Sequence, residues 1–300
     1  KNLTEFESLI RSRTRAALES LPENTPFNWV ELVSRNLTTQ MLATLFDFPW
    51  EERHRLSIWS DAVVSDERIT GKADLTLEER QLMAAEIFET FSRLWQERLD
   101  DGVESFDLIR LMQKDPNTRD LINDPVMFIG NLMLLIVGGN DTTRNSMTGG
   151  VVFFNENPRE FEKLRNETSL IPSMVSEVIR FQTPLPHMRR TLTRDFEFKG
   201  HRMKEGDKVV LWYCSANRDE AVIKNPDSFV IDRESPRNHA SFGFGIHRCM
   251  GNRLAEMQLR VLWEECLDLF ESIEVQAEPK RLSNNFVRGY SELEVVVKRH

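Results

Sequence analysis

Cysteine is scarce in this chain of 300 residues, and its scarcity limits the chemistry available. Cys214, Cys249 and Cys266 are odd in number and widely spaced, so they form none of the CxxC pairs that hold zinc or iron–sulfur clusters. Nor do they indicate a disulfide framework. This usage is typical of a protein from a reducing cytoplasm.

Long hydrophobic runs and an excess of positive charge are also lacking. The longest apolar run, Val126 to Gly139, contains Asn131 and is shorter than the roughly 20 residues that span a bilayer. The start, Lys1 to Leu9, is charged and helical in pattern, so we expect neither a signal peptide nor a membrane anchor. The net charge of −9 argues against nucleic acid as a partner, because phosphate binding needs a face rich in Lys and Arg.

The sequence has no internal repeat, low-complexity tract or evident linker, so one domain over residues 1–300 is expected. A hydrophobic content of 40% is enough to bury a large core. In the first half, apolar residues recur at three- and four-residue spacing between breaks rich in Pro, Gly or Asp. The helices predicted in this way cover residues 6–18, 29–46, 51–64 and 77–99.

A longer helix is predicted from Asp124-Pro125 to about Asn157, because aspartate caps helix starts and proline suits the first helical position. At 1.5 Å per residue it would be about 50 Å long, enough to cross the domain. We therefore expect a central, buried helix. Another helix is predicted from Pro172 to Phe181.

Beyond residue 181 the pattern changes to short strands and loops. Strands are predicted over Thr191–Phe198 and Lys208–Tyr213, with turns at Gly200 and Gly206. The expected fold class is mainly α with small β-sheets (α+β). Its parts are a helix-rich region 1–181, a strand and loop region 182–241 with an extended loop over 217–241, a glycine-rich loop and following helix 242–270, and a terminal hairpin 285–297 around Gly289.

The segment Phe242-Gly-Phe-Gly-Ile-His-Arg-Cys-Met-Gly251 carries the strongest chemical signal. It places Cys249 where a glycine-rich loop ends and a helix begins. Free N–H groups and the positive end of the helix dipole stabilise an anion there, so a lowered thiol pKa is expected. The glycines would let the backbone pass close beneath a flat ligand. A small buried thiol beside a glycine turn is the alternative.

This segment resembles the haem-thiolate loop of the cytochrome P-450 family in its Phe, Gly, His, Cys and Gly positions. The resemblance implies that Cys249 is the axial ligand of the iron of haem b (iron protoporphyrin IX), where an anionic sulfur favours O–O cleavage. It also implies an oxidoreductase of the monooxygenase type. The cofactor-binding residues expected from this loop are Cys249, His247, Phe242, Gly243 and Gly251.

Within the long helix lies Leu134-Leu-Ile-Val-Gly-Gly-Asn-Asp-Thr-Thr-Arg144. Two glycines inside a helix cost about 1 kcal/mol each relative to alanine, so something else must favour them. Thr142 can bond back to the carbonyl of Gly138 and open the helix locally, and Asp141 could pass protons inward. The alternative is a helix crossing with satisfied polar groups. The family resemblance implies the oxygen-activating segment, with Asp141 and Thr142 catalytic and Gly138 beside the cofactor.

Glu177-Val-Ile-Arg180 puts opposite charges three positions apart on one helix face. On its own this spacing indicates a solvated surface bridge of small energy. It also resembles the family's ExxR motif. The resemblance implies a buried structural triad of Glu177, Arg180 and Arg233 that holds the loop preceding the cysteine.

Arg190, at the end of Pro186-His-Met-Arg-Arg, suits a carboxylate partner because a guanidinium binds carboxylates through two parallel hydrogen bonds. By resemblance, Arg190 and His247 contact the haem propionates and Arg189 assists. An exposed basic cluster is the alternative.

Several segments resemble the bacterial soluble branch that hydroxylates medium-chain alkanes and fatty acids at the terminal carbon: 38–48, 138–147, 187–191 and 288–293. This substrate class requires a narrow apolar channel. The candidate lining residues are Leu134, Val137, Leu185, Met188 and Phe286, and core packing is the alternative for each. The resemblance leaves out the family's amino-terminal portion, so we expect the domain to be incomplete and the full protein to be longer.

The implied reaction takes O2 and a small hydrophobic substrate and needs two electrons. No GxGxxG or flavin-type fusion is visible, so the branch's iron–sulfur ferredoxin and flavin-dependent ferredoxin reductase are implied. A basic docking face or an ordinary solvated face could include Arg237, Arg248, Arg253 and Arg260. A terpene or cyclic-compound hydroxylase, a peroxygenase and a non-enzymatic haem sensor are alternatives. The acid–alcohol pair argues against the last two.

Overall fold

The computed structural model describes residues 2–64, 75–100, 102–103 and 106–300. Lys1 and residues 65–74, within the region predicted to be helix-rich, lie outside the described residues. The described helices are α1 Asn2–Glu19, α2 Asn36–Phe46, α3 His54–Val64, α4 Leu77–Asp100, α5 Leu108–Lys114, α6 Pro125–Glu156, α7 Pro158–Asn166, α8 Ile171–Gln182, α9 Tyr213–Ala216 and α10 Asn252–Leu269. The predicted helix 29–46 begins instead as a π-helix, Val30–Arg35, which runs directly into α2.

Helix α6 confirms the prediction of a central helix. The side chain of Asp124 accepts a hydrogen bond from the N–H of Met127 at 3.1 Å, and Pro125 follows the cap. Every residue from Thr143 to Phe154 is buried. Among the described residues, α6 alone is long and apolar enough to cross a membrane, a test that the core helices of soluble proteins also pass. Its packing against α2, α3, α8 and α10 makes it a core helix here.

Two hydrophobic clusters meet along α6. The larger one surrounds its carboxyl-terminal half with α8, α10 and strands from the end of the chain, and Trp263 fills the space beside Gly150 and Phe154. The second surrounds the amino-terminal half with α2, α3 and α4, through aromatic contacts such as Phe46 with Phe91. Both ends of the helix are therefore fixed by packing, which holds its middle in place.

The strands form small sheets at one side, as the fold class predicted. They are β1 Phe27–Asn28, β2 His187–Thr191, β3 Phe196–Phe198, β4 His201–Met203, β5 Lys208–Trp212, β6 Phe270–Val275, β7 Lys280–Arg281, β8 Tyr290–Glu292 and β9 Glu294–Arg299. All pairs are antiparallel: β1–β9–β6, β2–β5, β3–β4 and β7–β8. Gly200 and Gly206 occupy the predicted turns with φ of 81° and 87°, and residues 217–241 contain neither helix nor strand.

The prediction of one strand over Thr191–Phe198 is wrong. The chain pairs with β5 only as far as Thr191, and a new strand begins at Phe196. Between them, the carboxylate of Asp195 accepts the N–H of Glu205 at 2.9 Å. Here a side-chain hydrogen bond replaces the backbone hydrogen bonds of paired strands.

The predicted terminal hairpin around Gly289 is also wrong. Strand β8 pairs with β7, whereas β9 pairs with β1 and β6, so the two strands belong to different sheets. The physical reason is the environment of Gly289, which lies against the buried side chain of Asn145 on α6 rather than at a turn. Contacts with the central helix, not a local turn, determine the path of this segment.

Candidate active site

The glycine-rich loop folds as a closed turn before α10. The N–H of Cys249 donates to the carbonyl of Phe242 at 2.9 Å, and residues Gly245–His247 form a 3-10 turn inside this closure. Gly243 and Gly245 have φ of 66° and 78°, a region that favours glycine. A Cβ on buried Gly243 would lie 3.0 Å from the hydroxyl of Tyr213, so this position also requires glycine for space.

Cys249 lies two residues before α10, whose N-terminal cap is Gly251. The thiol reaches the surface, yet enough protein surrounds it that burial raises its pKa above the ordinary value. The backbone N–H of Gly251 and the charge of Arg248 oppose this rise but do not outweigh it. The sequence expectation of a lowered pKa is therefore wrong for the thiol alone: desolvation exceeds the effect of the helix terminus.

The outer face of the loop is apolar. Phe244, Ile246 and Met250 are 73%, 97% and 82% exposed, while His247 is also exposed and Phe242 is half-buried against the core. Contiguous exposed apolar surface of this kind marks a contact with a ligand or partner. Sequence reasoning did not single out Ile246 or Met250.

Glu177 of the ExxR motif forms the buried triad that the resemblance implied. Arg180 donates from Nε and Nη2 to the two oxygens of Glu177, at 2.7 and 2.8 Å. Arg233 donates from Nε to the same carboxylate at 2.9 Å. Glu177 and Arg180 are fully buried. The interpretation as a surface bridge is therefore wrong for this pair.

Asn217 connects this triad to the glycine-rich loop, and sequence reasoning missed it. Its carbonyl accepts Nη1 of Arg180 at 2.6 Å, and its side-chain Oδ1 accepts the N–H of Ala240 at 2.7 Å. Its Nδ2 donates to the hydroxyls of Thr183 and Ser241, both at 2.8 Å. A single buried asparagine therefore fixes the approach to Phe242. Its only sequence signal was its place at the start of the long loop.

On α6 the hydroxyl of Thr142 donates to the carbonyl of Gly138 at 2.9 Å, as predicted. The helix nevertheless stays continuous across these residues, so the expected local opening is not present. A carbonyl has two lone pairs and can accept the hydroxyl without losing its helical partner.

The two adjacent glycines have different surroundings. A Cβ on Gly139 would lie 2.9 Å from Leu42, so this glycine serves a helix crossing. A Cβ on Gly138 would meet nothing within 4 Å. Leu134, Gly138 and Thr142, four residues apart, form a line in which Leu134 is 70% exposed and Gly138 is exposed. We call this line the bare face of α6.

Asp141 lies behind the bare face and is fully buried. Its Oδ2 accepts the hydroxyl of Ser60 at 2.7 Å, and its Oδ1 pairs with Arg144. Arg144 in turn donates to Asp61 at 2.8 Å, and Asp61 also binds Arg35, which is only partly buried. The acid is thus linked through charged side chains toward the surface. Ser60, Asp61 and Arg35 gave no motif in the sequence, because their partner is distant in the chain.

The remaining candidates lie on β2, on α6 and in the loops that precede β2 and β8. Arg190 is half-buried and donates only to the neighbouring carbonyl of Arg189, at 2.9 Å, and no carboxylate of the described residues pairs with it. Leu185 packs against Leu282 and Val287. Met188 is half-buried and Phe286 is 38% exposed. Val137 is buried, so its side chain does not belong to the bare face.

These residues fit a flat iron porphyrin with carboxylate arms. A thiol that receives an N–H bond provides an iron ligand, Gly243 avoids the contact that a Cβ would make with Tyr213, and the unpaired guanidinium of Arg190 suits a propionate. Gly138 presents bare backbone on α6. The donor set and the close-approach positions therefore match the haem-thiolate expectation.

Glu177→Gln tests the buried triad. The change leaves the guanidinium groups of Arg180 and Arg233 without their carboxylate, so we expect the free energy of unfolding to fall by about 3–5 kcal/mol. Urea denaturation measures it. Glu97→Gln, which removes an exposed partner of Arg93, is the matched control and should cost less than about 0.5 kcal/mol. Equal losses in the two variants would contradict the buried role of Glu177.

His239 makes the stability of the loop sensitive to pH. Burial, with Arg180, Arg248 and Arg237 nearby, lowers its pKa from 6.5 to about 4. Its Nδ1 accepts the N–H of Ser241 at 3.3 Å. The unfolded chain therefore binds a proton that the folded chain does not, and stability falls as pH drops from 6.5 toward 4.

In His239→Asn this proton-linked loss is removed. The decrease in unfolding free energy between neutral pH and about pH 4 should be about 3 kcal/mol smaller than in the unmodified protein. His54→Asn, at an exposed position, is the control and should leave the decrease unchanged. The same decrease in His239→Asn as in the unmodified protein would show that His239 is not the group responsible.

Comparison with known proteins agrees with this geometry. The family model described as Cytochrome P450 matches residues 2–296. Linalool 8-monooxygenase of Pseudomonas putida is 34% identical, covering 98% of this chain and 71% of its own length. A methyl-branched lipid omega-hydroxylase of Mycobacterium bovis is 31% identical, covering 98% and 69%. The solved structure of Cytochrome P450-153 from Novosphingobium aromaticivorans is 45% identical with a TM-score of 0.88, covering 99% and 71%. The chain therefore belongs to the cytochrome P450 family, whose cofactor is haem b held by a cysteine thiolate.

Proposed function

We propose that this P450 monooxygenase hydroxylates the terminal carbon of medium-chain alkanes or fatty acids. The observation that carries the proposal is the bare face of α6, where an alcohol and exposed backbone lie in line with Leu134 and in front of a buried acid. The similarity to Cytochrome P450-153 and to a lipid omega-hydroxylase supports the substrate class.

Haem, when bound, supplies the redox chemistry that inserts one atom of O2 into a C–H bond and reduces the other to water with two electrons and two protons. The chain supplies its placement. Cys249 would hold the iron, and Arg190 and His247 would contact the two propionates. Phe242, Gly243 and Gly251 shape the loop that would receive the ring.

Thr142 and Asp141 handle protons. The Thr142 hydroxyl, fixed by its bond to the Gly138 carbonyl at 2.9 Å, can present its oxygen as an acceptor toward the bare face. Asp141 is adjacent, and its carboxylate is held by Ser60 and by the ion pairs that join Arg144, Asp61 and Arg35. The guanidinium groups keep their protons and position Asp141, so in this proposal the carboxyl group and the Thr142 hydroxyl are the groups that exchange protons.

The substrate pocket is apolar and slender in this proposal. Its walls are Leu134 of α6, Leu185 just before β2, Met188 within β2, and Phe286 in the loop between β7 and β8. Val137 contributes from the core side. A second candidate, oxidation of a terpene alcohol, is favoured by the 34% identity to linalool 8-monooxygenase.

Electrons come from a separate ferredoxin and its flavin-dependent reductase in this proposal. Arg248 and Arg253 are exposed near Cys249, and Arg237 is 77% exposed with one long bridge to Glu256. They form a basic docking face. Arg260 does not belong to it, because it pairs with Glu7 and Glu264. All three cysteines are free, which supports a cytoplasmic location.

Product analysis tests the function. The purified haem protein, with a ferredoxin, its reductase and NADH, should convert n-octane or dodecanoic acid to the terminal alcohol, and the same substrates should shift the haem spin state. Linalool and hydrogen peroxide serve as alternative substrate and oxidant. Turnover of linalool alone would favour the terpene oxidase, and product from peroxide alone would favour a peroxygenase.

Thr142→Ala removes the alcohol but leaves substrate binding intact. We expect a loss of about 10²-fold in product rate while NADH consumption continues, because a general acid–base group typically contributes about 10²–10⁴-fold. The measured quantity is product formed per NADH. Thr142→Ser keeps a hydroxyl and should restore coupling. Full coupling in Thr142→Ala would refute the proton role.

A further inference from the structure

Two carboxamides fasten the segment Arg288–Tyr290 near the central helix. The Oδ1 of Asn145, on α6, accepts the N–H of Tyr290 at 2.9 Å. Gln182, the last residue of α8, donates from Nε2 to the carbonyl of Arg288 at 2.8 Å. The N–H of Arg288 also donates to the carbonyl of Pro184 at 2.8 Å. Arg288 and Tyr290 are thus held by three hydrogen bonds to partners distant in sequence.

Asn145 reaches both this segment and the proton-handling turn of α6. Its Nδ2 donates to the carbonyl of Asp141 at 2.8 Å, one helical turn earlier, while its Oδ1 holds Tyr290. The side chain is fully buried, and both ends of its carboxamide are satisfied. Because breaking either bond leaves a buried polar group unpaired, the arrangement resists change.

Glycine at position 289 makes this close approach possible. A Cβ there would overlap the Asn145 carboxamide. The φ of Gly289 is not in the left-handed region, so space and not conformation requires glycine. Gly149 has the same relation to the second carboxamide, since its Cβ would lie 2.5 Å from Oε1 of Gln182.

The segment Arg288–Tyr290 is the base of the loop that carries Phe286. The N–H groups of Phe286 and Val287 donate to the side chain of Asn284 at 2.7 and 2.8 Å. Val287 is fully buried against Leu282, with Leu185 packed on the same cluster. Phe286 is therefore tied to this segment through local hydrogen bonds and the packing of Val287, so we expect a shift at Tyr290 to move Phe286 with it.

We propose that Asn145 is a positioning residue for the substrate pocket. By holding Tyr290 against α6 at the spacing that Gly289 permits, it fixes how far Phe286 stands from the bare face. That spacing selects which carbon of a slender apolar chain is oxidised. The inference rests on the proposed function, in which Phe286 is a wall of the pocket.

The chain provides a matched control for Asn145. Asn155, further along α6, donates from Nδ2 to the carbonyl of Val151 at 2.9 Å and accepts the N–H of Val275 at 3.0 Å. It makes the same two kinds of bond and also donates to the carbonyl of Ile273 at 3.0 Å, but it is exposed and holds β6 rather than the Phe286 loop. Loss of an asparagine clamp on α6 as such would appear in both variants, whereas an effect on the pocket would appear only in Asn145.

The experiment compares Asn145→Ala, Gly289→Ala, their double variant and Asn155→Ala in the haem-loaded protein. Three quantities are measured: the ratio of terminal to internal alcohols from n-octane, the dissociation constant of n-octane from the spin-state shift, and hydrogen exchange of the Tyr290 amide. The reduced carbon monoxide spectrum checks that each variant keeps its haem-thiolate bond. Asn145→Ser carries the test if Asn145→Ala loses haem.

Asn145→Ala should weaken n-octane binding about fivefold, the equivalent of one buried hydrogen bond, and raise the share of internal alcohols. Its Tyr290 amide should exchange faster. Gly289→Ala should change the ratio more in the presence of Asn145 than in the double variant, because the group that the new methyl meets is then absent. Asn155→Ala should keep the original ratio.

An unchanged alcohol ratio in both Asn145→Ala and Gly289→Ala, with haem retained, would overturn the inference. So would an equal change in Asn155→Ala. Failure of the unmodified protein to hydroxylate n-octane contradicts the proposed substrate instead. In that case linalool replaces n-octane in the spin-state titration. The linalool dissociation constants and the hydrogen exchange of the Tyr290 amide in the variants then test the role of Asn145.

Discussion

The buried carboxylate of Glu177 is the constraint on which the rest of the structure depends. It binds two guanidinium groups, and it also accepts the N–H of Val230 at 2.9 Å. The two arginines also donate to backbone carbonyls of the long loop, and both donate to that of Ser228. A loop of 217–241 without helix or strand therefore has a defined path, because charged side chains replace the missing ladder of backbone bonds.

That path matters because the loop ends at the thiol. Asn217 accepts a hydrogen bond from Arg180 and makes hydrogen bonds to Ala240 and Ser241. The hydroxyl of Ser241 also donates to the carbonyl of Ile179 at 3.0 Å. The glycine turn that presents Cys249 starts immediately after these bonds. Helix α8 thus determines where the cysteine lies, although the two are far apart in sequence. The triad fixes the path of this loop, and the proposed function gives it a structural role only.

Local signals in the sequence were sufficient for most of the long helices, but they did not predict α5, α7 or α9. Asp124-Pro125 predicted the start of α6, and the spacing of Thr142 and Gly138 predicted their hydrogen bond, because both depend on neighbours within four residues. The terminal hairpin failed for the opposite reason: β8 and β9 pair with β7 and β6, and Gly289 is determined by Asn145. Ser60, Asp61 and Asn217 likewise act on partners that no spacing rule reveals. The thiol pKa failed because burial, which a sequence does not give, exceeded the helix-terminus effect.

The central helix combines two demands that normally conflict. Its middle exposes backbone and a hydroxyl on one side, yet two adjacent glycines would weaken an isolated helix. The structure separates these demands by position around the axis. Gly139 and the Asp141–Arg144 pair face protein, where Leu42, Ser60 and Asp61 pack against them, while Gly138 and Thr142 face outward. Because the inward side carries the packing and the charge pairing, the outward side stays bare while the helix remains continuous, and residues on the bare face can vary with little effect on stability.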